Sequence, residues 1–527
     1  MNVRLMFVDR DFDPQAALPP HAPALVQDLA LETLAGAMGG ADRFLTDIAR
    51  RALLGSVAGD VDTIRYRQAV LRDCLRHPAA VRELYALACD TLERKRRSRF
   101  GMYTRLPSSI LHGASDAMQI FTDALAALRT RADAHEAEFE SVAFRQLFSV
   151  LRAECSDEYL GRITRHLADL EFRHGLLVSM TLAEGHEGAN HVLRVPSASR
   201  PSWLRRTFGR SARQLTIRIA DRDEAGARAL SELRERGTSP AANALAQSVD
   251  HVHRFFEQLR GELAFYVGCL NLHEALTRLG CPIAFPEPAA PGTRRLRGEG
   301  LYDVTLALTQ GRPAVGNAID GTGRNVVVIT GANQGGKSTF LRGLGVATIM
   351  MHAGLFVGAA SFMGEVGTGL FTHYRREEDA TLAHGKLDEE LGRFSELVDQ
   401  LTPNAVVLFN ESFASTNERE GSEIARQVVD ALAARSVRVW FVTHLYEFAR
   451  TLFEQGRRDV LFLRAERQPT GERTFRLAEG PPRDTSHGDD LYRMVFGGPG
   501  APRSGSGAST LQEAELCRTR TPSGSPS

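Results

Sequence analysis

What this 527-residue sequence lacks narrows it first. It has no net charge, since Lys plus Arg and Asp plus Glu both count 64. No global field therefore draws it toward nucleic acid, and any such contact must come from local patches. Its six cysteines, Cys74, Cys89, Cys155, Cys269, Cys281 and Cys517, include no CxxC pair. That spacing argues against a zinc site or a disulfide framework and for buried, reduced thiols. No apolar run approaches the ~18 residues that cross a bilayer, and the start, MNVRLMFVDRDFD, is charged where a signal peptide needs its hydrophobic stretch. A soluble, cytoplasmic protein with no membrane partner is expected. Internal repeats are absent too, and the length exceeds the ~250–300 residues at which single cores stop growing, so several domains are expected.

The first part of the chain reads as helix. Residues 1–107 form an N-terminal helical core region, with apolar residues at mixed three and four spacing from Ala24 to Arg99. Residues 108–280 read as a lever of long helices. Val249, Val252, Phe256, Leu259, Leu263, Tyr266 and Leu270 alternate steps of three and four, the seam of a helix packed lengthwise on another, with the run Ile120 to Leu170 as the expected partner. Between them prolines, a basic cluster and the alternating runs HVLRV and QLTIRI predict a small insert near 186–222, a β-ribbon at the far end of the lever.

After Cys281 the linker FPEPAAPGTRR leads into an α/β region, expected over residues 281–496. Apolar runs at Val326 to Thr330, Ala405 to Phe409 and Val437 to Thr443, separated by helical stretches, predict a mostly parallel sheet buried on both faces. Val460 to Leu463 and Thr474 to Leu477 flank Pro469, Thr470 and Gly471 and predict a closing hairpin. Residues 497–527, rich in Gly, Pro, Ser and Thr, read as a disordered tail.

The chemistry sits at three strand ends. After NVVVIT comes GANQGGKST, that is Gly331, Ala332, Asn333, Gln334, Gly335, Gly336, Lys337, Ser338 and Thr339. A GxxxxGKS run between a strand and a helix is a phosphate-binding loop, whose backbone N–H groups and helix dipole surround the β-phosphate of a nucleotide. Lys337 would neutralise the β- and γ-phosphates of ATP, and Ser338 would hold Mg²⁺. The next strand ends in Asn410 and Glu411. Glu411 is placed to polarise an attacking water, and Asn410 to orient the Mg²⁺ shell through water. A third strand ends in Thr443 and His444, where His444 can meet the γ-phosphate; a packed core histidine is the alternative.

These motifs resemble the MutS ATPase family within the ABC superfamily. GANQGGKSTFLR is similar to its phosphate loop, NESFASTNEREGSEIA to its second strand and following loop, and FVTHLYEF to its histidine strand. DVDTIRYRQAVLRDCL and the long helices resemble the family's core and lever. The resemblance implies a P-loop ATPase domain preceded by an all-α core and lever, ATP and Mg²⁺ as cofactors, a homodimer, DNA as partner and other repair proteins around it. It also implies that Gly385 and Lys386, in HGKLDEELGRF, and Ser415, Thr416 and Asn417 act across the dimer on the partner's nucleotide. A polar turn capping the helix from Glu418 is the alternative for the last three. Ser486, His487 and Gly488 resemble the motif that opens the family's C-terminal dimerisation element, and Asn317 stands where an adenine contact or a turn residue would fall.

The sequence also departs from the family. Neither its Phe-x-Glu mismatch-reading motif nor room for that N-terminal domain is found, so mismatch recognition is not implied. Asn410 replaces the usual Asp and keeps a carbonyl but no charge, which predicts weaker Mg²⁺ binding and slower turnover. Leu387 stands where the trans-acting serine is expected, while Leu387, Leu391, Phe394, Val398 and Leu401 form a plain core stripe. Arg205, Arg206, Arg210 and Arg213 in the insert, with Trp203 and Phe208, are the DNA candidates, and Arg94, Lys95, Arg96, Arg97 and Arg99 a second basic cluster; a solvated face is the alternative for both. The expected function is a nucleotide-driven, DNA-binding dimeric clamp in repair or recombination. The alternatives are a non-catalytic nucleotide-gated module and an SMC-like structural ATPase, the latter opposed by the missing SGG-type signature and the short arms.

Overall fold

A computed structural model describes residues 1–98, 106–173, 175–186, 188–194, 216–332, 334–376, 385–467 and 473–482. Eight helices come first: α1 Ala22–Asp28, α2 Leu31–Gly39, α3 Arg43–Leu54, α4 Val61–Arg76, α5 Pro78–Arg97, α6 Pro107–His135, α7 Val142–Glu154 and α8 Asp157–Asp169. A two-stranded antiparallel ribbon, β1 Leu177–Leu182 with β2 Gly188–Arg194, precedes the 55-residue helix α9, Glu224–Arg278. At 1.5 Å per residue α9 is about 80 Å long.

The seam on α9 is buried as its spacing predicts. Val249, Phe256, Leu259, Leu263, Tyr266 and Leu270 are all at most 6% exposed. Its partner differs from the expectation. The run Ile120 to Leu170 is three helices, broken where the side chains of Ser141 and Ser156 cap α7 and α8 by accepting the N–H groups of Phe144 and Tyr159. Of these three, α6 packs along α9, with Phe121 stacked on Phe256 at 5.5 Å between centroids. The ribbon also differs. HVLRV is the second strand as expected, but it pairs with LVSMTL before it, and residues 216–219 of QLTIRI form no strand.

Helix α9 also anchors the start of the chain. Glu262 is 0% exposed, and its carboxylate accepts backbone N–H groups from Leu5 at 2.5 Å, Met6 at 3.1 Å and Phe12 at 2.7 Å. The Tyr266 hydroxyl donates to the Leu5 carbonyl at 2.7 Å, and buried Arg67 donates to the Met6 carbonyl at 2.9 Å. A buried carboxylate is tolerated here because four donors, these three and the Gln258 amide at 2.9 Å, replace its hydration, although burial still raises its pKa.

The C-terminal half holds β3 Glu287–Ala289, β4 Leu296–Leu301, α10 Val304–Gln310, β5 Asn317–Asp320, β6 Val326–Thr330, α11 Lys337–His352, β7 Ser361–Glu365, β8 Leu370–Tyr374, α12 Lys386–Val398, β9 Val406–Asn410, α13 Glu418–Ala434, β10 Arg438–Val442, α14 Tyr446–Glu454, β11 Val460–Arg467 and β12 Arg473–Glu479. Six strands run β12-β11-β6-β10-β9-β8, parallel except for the β11–β12 hairpin at the edge. A second, four-stranded mixed sheet, β3-β7-β4-β5, was not expected from the sequence.

Each central strand feeds two cores. Val327 and Ile329 join the cluster that includes the N-terminal helices, whereas Val326 and Val328 join one formed with α13 and α14. That is why these strands read as unbroken apolar runs. Helix α6 begins and α9 ends next to the expected divisions at 107/108 and 280/281, but the larger cluster runs without a break from Val3 to Leu463. No helix among the described residues is long and apolar enough to cross a membrane.

Candidate functional site

The strand order β6-β10-β9 brings three carboxyl ends side by side, because the three strands are parallel. From β6 the chain turns through Gly331, at φ +120, which only glycine adopts with ease. A Cβ there would also lie 2.9 Å from Ala465 on β11. Gly336, at φ 88, then caps α11 and Lys337 begins it. Asn333 lies outside the described residues; the rest of the expected phosphate loop is described.

Lys337 folds back over that loop. Its Nζ donates to the carbonyls of Gly331 at 2.8 Å and Ala332 at 2.9 Å, and its residue is 4% exposed. Burial pushes its pKa down to about 8, against the opposing pull of the Glu411 carboxylate. A phosphate-bearing ligand should restore the charged form. The sign follows: affinity is full below about pH 8, where the free lysine is already protonated, and falls as pH rises above it. The expected slope approaches about tenfold per pH unit until the pKa of the bound lysine is reached. Lys95, Lys337 and Lys386 are the three lysines of the sequence, so NMR of methylated lysines can read this titration directly. A Lys337 signal that titrates near 10.5 without ligand would contradict it.

The other expected residues converge on the same place. Ser338 Oγ donates to Asn410 Oδ1 at 2.8 Å, linking the loop to the end of β9. Glu411 takes φ 57, and its N–H donates to the Val442 carbonyl of β10 at 2.9 Å. Its Oε1 is 3.1 Å from His444 Nε2, and this hydrogen bond is the main reason its pKa is held below the usual carboxylate range. Thr443 is fixed by donating its N–H to the Ile329 carbonyl, which places His444 between β6 and β9. Gln334, Gly335, Gly336, Lys337, Ser338, Thr339 and Glu411 all line one cavity of about 510 Å³. Apolar side chains also line it, including Leu306, Val315 and Phe475. A nucleotide fits such a cavity, with phosphates on the loop and base among the apolar groups. The donors fit Mg²⁺ through the Ser338 hydroxyl and the Asn410 amide, both neutral; among the described residues no group of three His, Cys, Asp or Glu is placed to hold a metal by itself.

Several groups here left no mark in the sequence. Phe475, on β12, projects into the cavity, and Arg473 of the same strand contacts the Gln334 side chain of the loop. Asn317, which the sequence did single out, fixes that strand: its amide accepts from Leu477 N–H at 2.8 Å and donates to the Phe475 carbonyl at 3.3 Å. With both ends so engaged, and placed in β5 rather than in a turn, Asn317 is an anchor for β12. Behind Glu411, Glu390 of α12 is 2% exposed and accepts the Phe413 N–H at 2.7 Å. His373 of β8 lies between Ser412 Oγ at 2.9 Å and the Glu390 carbonyl at 3.3 Å, with its pKa pushed down to about 4 by burial, so the imidazole is neutral.

The remaining expected residues lie apart or outside. Gly385 is the N-cap of α12 and Lys386 its first residue. Of the stripe, Leu391, Phe394 and Leu401 pack against the second core, where Leu397, outside the stripe, is the buried apolar residue of this helix. Asn417 caps α13 by accepting the Glu420 N–H at 3.0 Å, and Thr416 donates to the Glu420 carboxylate, so the capping alternative accounts for these side chains in one subunit. Arg94 to Arg97 occupy the last turn of α5, where the helix dipole favours cations; Arg96 and Arg97 pair with Glu93. Arg205, Arg206, Arg210, Arg213, Trp203, Phe208, Arg99, His384, Ser486, His487, Gly488 and the tail 497–527 lie outside the described residues.

Comparison with known proteins agrees with this geometry. Residues 59–279 match the family model described as the MutS2 N-terminal domain, and residues 327–478 that of MutS domain V. The DNA mismatch repair protein MutS of Chloroflexus aurantiacus is 30% identical over 224 residues, 39% of this chain and 23% of that protein. MutS of Brevibacillus brevis is 26% identical over 254 residues, 45% of this chain and 29% of that protein. Endonuclease MutS2 of Thermus thermophilus is 29% identical over 135 residues, 26% of this chain and 18% of that protein. The chain thus matches less than a third of the length of these curated relatives. With two MutS domain models on one chain, a GxxxxGKS loop and Glu411 lining one cavity, and His444 bonded to Glu411, this protein belongs to the MutS-related family.

Proposed function

We propose that this chain binds and hydrolyses ATP, and that nucleotide closes two copies into a clamp acting on DNA in repair or recombination. The observation that carries the reading is the convergence of Lys337, Ser338 and Glu411 on one cavity, with His444 bonded to Glu411. In it Lys337 leaves its loop carbonyls for the β- and γ-phosphates, and Ser338 and Asn410 hold Mg²⁺. Mg²⁺ supplies neutralisation of phosphate charge when bound. Glu411, kept ionised by His444, takes a proton from the attacking water, and His444 turns toward the γ-phosphate. Gly385, Lys386, Ser415, Thr416 and Asn417 reach the partner's nucleotide, which requires the caps of α12 and α13 to serve both helix and ligand.

The division of labour follows the same reading. Residues 1–107 are a core, 108–280 a lever with its ribbon and insert, and 281–496 the ATPase. The names of the relatives, a DNA mismatch repair protein and an endonuclease, support DNA as partner. If Arg205, Arg206, Arg210 and Arg213 contact phosphates, DNA affinity falls steeply with salt, and replacing all four by alanine lowers the slope of log affinity against log salt by up to about 0.9 per lost contact. An unchanged slope would remove the insert from the interface.

A second reading has its own observation. Ser338 bonds an uncharged Asn410 at the place where a carboxylate would strengthen Mg²⁺ binding, which suits a module gated by nucleotide occupancy alone. Single-turnover phosphate release at saturating Mg-ATP separates the two. Release by the wild type that Glu411→Gln lacks supports hydrolysis, and equal silence from both leaves the gated module.

A further inference from the structure

A second cavity, of about 700 Å³, opens between α3 and α9 and is floored by the segment from Phe12 to Gln15. Four arginines line it: Arg50, Arg51, Arg254 and Arg260. Arg50 is engaged, by Glu32 at 2.8 Å and Asp47 at 3.0 Å. Arg51 and Arg254 have no hydrogen bond or ion pair through their side chains among the described residues. The Arg260 guanidinium carbon sits over the Phe44 ring, 4.1 Å from its centroid, and Nε is buried with no hydrogen-bond partner among the described residues. Two carboxylates share the lining: Asp47 pairs with Arg50, and Glu257 lies 3.3 Å from His253, an imidazole that burial holds toward its neutral form. Arginines therefore outnumber carboxylates four to two around the cavity.

Gly261 is an independent sign that the space is kept. It lies buried in the middle of α9, where glycine is the poorest helix former after proline. Nothing in the protein needs its missing side chain, since a Cβ there would meet no atom within 4 Å. Arg254, Gln258 and Gly261 follow at steps of four and three, so they share one face of the helix, and that face fronts the cavity. An orphaned buried donor, unpaired cations and a helix thinned where it faces empty space together describe a site lacking its anion.

We infer that this cavity binds a phosphate-bearing anion, with Arg51, Arg254 and Arg260 as its donors and Phe44 holding the Arg260 guanidinium in place. Guanidinium forks suit phosphate oxygens because each offers two parallel N–H groups. The site is separate from the phosphate loop, shares no residue with the cavity there, and its occupancy does not depend on ATP hydrolysis.

Equilibrium dialysis of labelled pyrophosphate against the Lys337→Ala protein tests the inference, because that background weakens competition from the phosphate loop. One pyrophosphate per chain is expected, with a dissociation constant below about 1 mM. Arg51→Ala with Arg254→Ala should weaken it at least about tenfold, the expected size for losing charge-assisted bonds. Gly261→Leu, whose Cβ meets no atom within 4 Å in the free protein, should do the same by filling the site. No binding in the Lys337→Ala background, or binding untouched by both sets of changes, would overturn the inference. A short single-stranded oligonucleotide in competition identifies the source: displacement assigns the phosphates to a nucleic-acid backbone, and its absence to a free small anion.

Discussion

Replacing Glu411 by glutamine is expected to slow ATP hydrolysis by about 10²–10⁴-fold, the usual contribution of a positioned general base, while ATP stays bound. The backbone geometry should survive, because φ 57 at this position is fixed by the N–H bond to Val442 and not by the carboxylate. Glutamine also keeps an oxygen that can accept from His444, now 3.1 Å from Oε1. What disappears is a negative charge in the same cavity as the phosphate loop, so affinity for ATP should rise severalfold rather than fall. A second, less obvious effect follows. The Glu411 carboxylate is what opposes the burial-driven fall in the Lys337 pKa. Without it that pKa drops further, and the pH above which nucleotide affinity declines moves below the wild-type value of about 8. Pre-steady-state phosphate release and nucleotide titrations across pH 6–10 measure both effects. A variant that hydrolyses at the wild-type rate would remove Glu411 from the chemistry.

The parts of this site that were legible in the sequence share a cause. Val326 to Thr330, Val406 to Asn410 and Arg438 to Val442 are buried on both faces, and their apolar runs end where the sheet meets the cavity. Polar residues directly after such runs, Gly331, Glu411 and His444, were therefore locatable without coordinates. The missed residues act over long sequence separations. Phe475 was missed and Asn317, though picked out, was read for another role; they are 158 residues apart and meet only because β12 folds back beside β5. The strands of the smaller sheet are short and interrupted, with Gly298 and Gly300 inside β4, so no alternation marks them. At the ribbon, HVLRV was recognisable, but β1 ends at Leu182 and β2 begins at Gly188, so LVSMTL before it is the strand within reach. The long partner of the α9 seam failed at Ser141 and Ser156, two helix caps that mark boundaries in a stretch otherwise apolar at helical spacing.

Glu390→Ala is expected to cost about 2–4 kcal/mol of stability and to slow hydrolysis at least about tenfold, with ATP affinity nearly unchanged. Glu390 does not face the cavity. Its carboxylate accepts the N–H of Phe413, two residues beyond Glu411. Phe413 holds φ 63, a conformation that a bulky side chain adopts only when its surroundings impose it. Three things impose it here. The Phe413 ring packs on His373 at 5.6 Å and on Phe394 at 5.7 Å; Gly421 leaves room for the Phe413 carbonyl, which a Cβ there would approach to 2.3 Å; and Glu390 fixes the amide. Removing the carboxylate leaves a buried N–H without a partner and lets the turn from Glu411 to Phe413 relax toward ordinary φ, which swings the Glu411 side chain away from its place beside His444. The phosphate loop is untouched, so binding persists. Glu390→Gln, which retains an acceptor of the same length, should recover most of the rate. Chemical denaturation with single-turnover hydrolysis separates the outcomes: a less stable Glu390→Ala protein that still hydrolyses at the wild-type rate would confine the bond to structure. Recovery by glutamine would make α12, which begins at Gly385 and Lys386, a rigid link from the expected dimer face to the general base.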